Sequence, residues 1–209
     1  MHPAKFIRSI FLIALFFTAS CAALAPALAP NVNSDPTALK PGDYALDRDH
    51  AALIFKIGHL GFSKFIGRFE RFDVSLDFDD AHPENAKVEA VIDMTSLDIG
   101  NDNFANTLMG SNWFDANQFP ETTFRSTGIE ITGENTGIMS GDLTMHGVTK
   151  PVSVEVTFNG GGNDRLRGAY VVGFSAKTKI DRTEFGVDRF PTLVSEMVEL
   201  EIEAEFKKR

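Results

Sequence analysis

The chain has 209 residues, of which 43% are apolar, enough for one generous globular domain and too many for a disordered chain. A single cysteine excludes a disulfide framework and any multi-cysteine zinc or iron–sulfur centre. The formal charge of −9 speaks against nucleic acid as a partner, because phosphate binding needs concentrated Lys and Arg.

Residues 1–29 read as an export signal. Lys5 and Arg8 form a positive start, Ile10 to Ala19 an apolar stretch, and Ser20, Cys21, Ala22 and Ala23 a run of small residues. The strongly apolar stretch is only about 10 residues long, whereas a membrane span needs about 20. Two processing routes stay open. Thr18-Ala19-Ser20-Cys21 resembles a bacterial lipoprotein box, which would leave a lipid anchor on Cys21. Cleavage after Ala22 or Ala25 leaves a soluble periplasmic protein without cysteine, the favoured reading. Loss of the signal removes Lys5 and Arg8 and no acid, taking the formal charge from −9 to −11. Residues 30–41, with Pro30, Pro36 and Pro41, read as a polar linker.

From Tyr44 onward the hydrophobic period is two, the signature of half-buried strands. Strands are expected near Ala52–His59, then where Phe72, Val74, Leu76 and Phe78 alternate with polar residues, and again at Val88, Ala90 and Ile92. Asp102 to Asn112 reads as a short helix, with Asp102 as its cap and Phe104, Leu108 and Met109 as its apolar stripe. Strands follow at Thr122–Ile131, Ile138–Met145, Val152–Phe158 and Tyr170–Thr178. The last is the clearest: Val198, Leu200, Ile202, Ala204 and Phe206 alternate with Glu199, Glu201, Glu203 and Glu205, which places four carboxylates on a wet face. Turns are expected at Asp80–Pro83 and Thr132–Asn135. The run Asn159-Gly160-Gly161-Gly162-Asn163 lacks a following Gly-Lys-Ser/Thr, so it reads as a hairpin turn and not a phosphate loop. About eight antiparallel strands could form a sandwich or a closed barrel, and the alternation suits both.

Catalytic signatures are missing. His50, His59, His82 and His146 are scattered, no His-x-His or His-Glu-x-x-His occurs, and no Gly-x-Ser-x-Gly elbow is present. Neither an enzyme nor a metal site is expected. Haem is disfavoured, His59 being the single plausible axial ligand.

Several segments together resemble the YceI-like family of exported polyisoprenoid-binding proteins. They include Tyr44-Ala-Leu-Asp47 with His50, Phe55 to His59, Phe65-Ile-Gly67-Arg-Phe69 and Asp93 to Gly100. Asn112-Trp-Phe114, Phe119-Pro120, Thr123-Phe124-Arg-Ser126, the block Gly141–Val152 and Arg182-Thr-Glu-Phe-Gly186 continue the series in family order. Tyr44 stands where Trp is commoner, and Asp181-Arg182 precedes a Thr-Glu-Phe-Gly rather than an Asp-Phe-Gly.

The resemblance implies an all-β fold, an extended lipocalin-like antiparallel barrel of about eight strands with a short helical insertion, over residues 42–209. It also implies a long-chain isoprenoid or other amphiphilic lipid, a polyprenyl chain or quinone, held inside for sequestration or transport. No cofactor beyond that lipid is expected. A hydrocarbon guest needs an apolar wall poor in hydrogen-bond donors. The protein supplies 19 Phe against 2 Tyr and 1 Trp, apolar volume without polar handles. Candidate wall residues are Phe55, Phe62, Phe65, Phe69, Phe104, Leu108, Phe114, Phe124, Met139, Met145, Phe174 and Phe185. Candidate head-group contacts are His59, Asn103 and Arg182, although for each the favoured role is a structural hydrogen bond. Phe62-Ser-Lys-Phe65, between Gly61 and Gly67, reads as a lid, a portal or a tight barrel corner. Transient membrane contact and a homodimer are compatible with this picture. The competing functions are a stress-response structural module with a filled core and no guest and, behind it, an enzyme acting on a lipid.

Overall fold

A computed structural model describes residues 28–209; the export signal, with Cys21, lies outside the described residues except for its last two positions. Ten strands run through the described residues: β1 (Gly42–His59), β2 (Ser63–Phe69), β3 (Phe72–Phe78), β4 (Lys87–Asp93), β5 (Leu97–Asp98), β6 (Glu121–Ile131), β7 (Thr136–Met145), β8 (Val148–Asp164), β9 (Ala169–Asp181) and β10 (Val194–Lys208). One α-helix, α1 (Asp102–Met109), stands between β5 and β6.

The strands close into an antiparallel barrel of eight staves, counting β2 and β3 as one. β2 pairs with the second half of β1 (Ile54↔Arg68) and β3 with its first half (Tyr44↔Leu76), so they form a single stave broken at Glu70 and Arg71. β4, β6, β7, β8, β9 and β10 follow in order, and β10 returns to β1 from Tyr44↔Lys208 to His59↔Val194. Closure leaves no exposed sheet edge along the wall. Of the two architectures the alternation allows, the barrel is the one formed.

Alternation sorts the side chains as the pattern requires. Along β10, Leu200 and Ile202 line the interior, while Glu199 and Glu201 face out and meet Lys64 and Lys56 at 2.5 and 2.7 Å. Such exposed pairs contribute little to stability and mainly keep the outer face wet.

Three local expectations change. The helix is capped by Asn101, whose side chain accepts from the Phe104 N–H at 3.0 Å; Asp102 is its first residue, and it stops at Met109. An Asn and an Asp in succession are both good caps, and backbone geometry selects the first. The glycine run is not a turn: Gly160, Gly161 and Gly162 lie inside β8, and the chain reverses after Asp164. The glycines make room for a crossing segment, since a Cβ on Gly162 would lie 2.6 Å from the Asn31 carbonyl oxygen. That crossing segment is the expected linker. Asn33 bridges to Gly161, Pro36–Ala38 forms a 3-10 helix, and Tyr44 Oη donates to the Lys40 carbonyl at 2.7 Å. Residues 31–40 are therefore clamped to the barrel wall.

Candidate functional site

The barrel is hollow. One chamber of about 380 Å³ is walled by aliphatic and aromatic residues of β3, β4, β6, β7, β8, β9 and β10, among them Phe72, Val74, Phe124, Met139, Val154 and Phe174. Pro36 and Leu39 of the clamped segment close one side of it, and Glu134, Asn135 and Thr136 stand at its mouth. A second chamber of about 330 Å³ lies at the other end, under α1 and the β1–β2 turn. Leu53, Ile92, Leu143, Ile180 and Leu200 line both chambers, so the two meet at a ring of aliphatic side chains.

Two glycines help to keep this interior open. Gly67 faces Phe55 across the β1–β2 ladder, and a Cβ there would lie 2.5 Å from Phe55 Cζ and 2.7 Å from Ile99 Cγ2. Gly141 holds a similar place beside the Phe124 ring. Each ring occupies the volume its neighbour lacks, so it lies along the wall instead of filling the lumen.

Phe55, Phe65, Phe69, Phe104, Leu108, Phe114 and Met145 line the second chamber, and Phe124, Met139 and Phe174 line the first. Aromatic contacts join the second set: Phe55 and Phe69 centroids are 5.9 Å apart, and Phe65 meets Phe104 edge-on at 5.8 Å. Two expected wall residues lie elsewhere. Phe62 is 88% exposed in the β1–β2 turn, because β2 begins at Ser63 and turns only Phe65 inward. Phe185 is buried behind the wall of the second chamber, packed on Leu143, Met145, Ile180 and Val187, and lines neither chamber. The aliphatic walls and Trp113 were not among the candidates, although the period-two pattern already marked most of the aliphatic positions as inward.

Of the head-group candidates, Asn103 is exposed on α1 and lines neither chamber. His59 is exposed at the mouth of the second chamber. Arg182 is 3% exposed and forms part of that chamber's wall. Its Nε donates to Ser195 O at 2.9 Å, Nη2 to Val194 O at 2.8 Å and Nη1 to Val187 O. No carboxylate hydrogen-bonds it: burial pushes its pKa below the ordinary arginine value, and Asp181, Asp188 and Glu196 oppose this only through space.

A separate charged cluster lies at the β1–β10 seam. Register breaks between Leu46 and Ala51, and the Asp47–His50 bulge is held by Arg167 and Lys207. Asp47, His50 and Glu205 bring their ligand atoms within 4.8 Å of one another. Arg167 and Lys207 already neutralise those carboxylates, so the cluster works as a closed ion network. His59, Arg182 and Glu134 are the titratable side chains lining the two chambers among the described residues.

A closed eight-stranded β-barrel with an apolar, two-chambered lumen is the class of protein that fold and site define. Residues 44–206 match the YceI-like domain, and the chain belongs to that family. A UPF0312 protein of Pseudomonas savastanoi is 36% identical over 165 residues, covering 78% of this chain and 85% of its own. BcnA of Burkholderia cenocepacia has the same fold, with a TM-score of 0.70 at 24% identity over 77% of this chain and 98% of that one. A polyisoprenoid binding domain from Saccharophagus degradans, implicated in plant cell wall breakdown, superposes with a TM-score of 0.58 at 16% identity, covering 79% and 98% of the two chains.

Proposed function

We propose that this protein binds a long-chain isoprenoid or similar amphiphilic lipid inside the barrel and carries or sequesters it in the periplasm. The observation that carries this reading is that two apolar chambers lie end to end in the barrel and share Leu53, Ile92, Leu143, Ile180 and Leu200 as lining, so the interior is hollow along its length rather than a filled core. Burying one isoprene unit is worth about 3–4 kcal/mol, so such a chain does not cross water unescorted. The description of the Saccharophagus degradans domain as polyisoprenoid-binding supports the same class of guest.

Loading from a bilayer needs a surface that tolerates lipid. Leu60, Phe62, Phe190 and Leu193 are exposed near the mouth of the second chamber. Leu60 N–H donates to Leu193 O at 2.8 Å and joins two of these loops, while Phe190 packs 6.2 Å from Trp113 of the chamber wall. We assign this apolar rim to transient contact with the membrane. Organic extraction of protein purified from its native host, followed by mass spectrometry, tests the reading. A bound prenyl lipid or quinone is expected. Protein that is lipid-free and takes up no prenyl probe overturns it.

A further inference from the structure

The two chambers differ in their buried polar chemistry. The first has one charged wall residue, Glu134, an exposed carboxylate at its mouth. The second holds Arg182, a buried guanidinium to which no carboxylate is hydrogen-bonded among the described residues. Each terminal nitrogen of a guanidinium carries a pair of N–H groups. In Arg182, Nη1 gives one to Val187 and Nη2 gives one to Val194. Each keeps another donor. Its hydrogen bonds go to neutral carbonyls, and Asp181, Asp188 and Glu196 act on it only through space, so an anionic oxygen in direct contact would take up donors that the carbonyls leave.

Resting on the lipid-binding reading above, we propose that Arg182 seats the head of the guest, that the head is an anionic oxygen group, carboxylate or phosphate, and that the chain runs from it through the aliphatic ring into the first chamber. The orientation has an electrostatic basis at both ends. Glu134 repels an anion from the first mouth, whereas Arg182 faces the second chamber and the carboxylates near it, Asp181, Asp188 and Glu196, do not line that chamber. The guest's head would also touch the residue that pins Val187 and Val194, the two ends of the segment bearing Phe190 and Leu193. Head-group binding and the apolar rim are thus joined through one side chain.

The test uses the whole protein and probes sharing one chain: farnesene, farnesol, farnesoic acid and farnesyl phosphate, measured by displacement of a fluorescent fatty probe at low and high salt. The expected result is binding of farnesoic acid, farnesyl phosphate or both about 10-fold or more tighter than farnesol. That preference should survive high salt, because a buried pair is poorly screened, and should vanish in folded Arg182→Met. The tighter of the two anionic probes identifies the head as carboxylate or phosphate. If Arg182→Met does not fold, the wild-type series and its salt dependence still decide. Equal binding of all probes overturns the proposal and leaves the lipid reading standing. A preference that salt abolishes, or that persists in Arg182→Met, overturns it by placing the anion elsewhere. Failure of every probe to bind overturns the lipid reading itself.

Discussion

Arg167 Nη1 lies 2.8 Å from Asp47 Oδ2, joining residues 120 positions apart in the chain. The contact ties the β8–β9 turn to the bulge in β1. Burial works to raise the Asp47 pKa, but hydrogen bonds from Lys207, Arg167 and His50 prevail and hold it down at about 2.

That depression sets an acid response. The ordinary value is 3.8, so the network's contribution is complete above about pH 4 and disappears as pH falls through about 2. Asp47→Asn is expected to destabilise the barrel at neutral pH by about 2 kcal/mol. It should also flatten the loss of stability between pH 5 and pH 2 relative to wild type. Urea denaturation midpoints across that range, compared between the two proteins, measure both effects. Parallel curves would show that Asp47 does not supply the difference.

Gly67→Ala acts on the lumen. The new methyl takes the place of the Phe55 ring, and Ile99 blocks the other side, so the ring must swing into the second chamber. Overpacking of this kind costs about 1–3 kcal/mol. Affinity for a prenyl probe should fall further than stability does. Calorimetric binding and thermal unfolding of the variant check the two separately.

Leu200→Phe narrows the ring shared by the chambers. A guest threaded through it must lose length. Short prenyl probes are expected to keep most of their affinity, while long ones lose about 10-fold or more. A chain-length series by fluorescence displacement reads this directly, and an unchanged profile would mean that guests do not pass the ring.

Phe62→Ser removes the most exposed aromatic tip of the rim. Stability should change by no more than about 0.5 kcal/mol, because the side chain is barely buried in the folded protein. Transfer of a prenyl probe from vesicles should slow several-fold. Stopped-flow transfer rates from labelled vesicles provide the measurement.

How much of this was legible beforehand varied with the range of the interaction. The staves were readable because each carries its own period-two record, as in Val198 to Phe206, and one buried face is enough to fix inside from outside. The glycine run reads as a turn because the cause of its strand lies far away: nothing near Gly162 in the sequence announces that Asn31 crosses it. Phe62 and Phe65 share a residue type and a loop, and only the point where β2 begins sends one outward and the other inward. The phenylalanines mark much of the second chamber in the sequence, but the aliphatic ring at Leu53, Leu143 and Leu200 carries no such mark. Branched aliphatics look alike in a filled core and in a wall, and only three-dimensional closure separates the two.

The seam between β1 and β10 also has a kinetic meaning. The stave that seals the wall follows every other stave in the chain, so Tyr44 waits for Lys208 before its ladder is complete. Long-range pairings of this kind make folding slow. Until β10 docks, a nascent molecule presents an open trough of greasy side chains, a stage at which an escort would guard against aggregation.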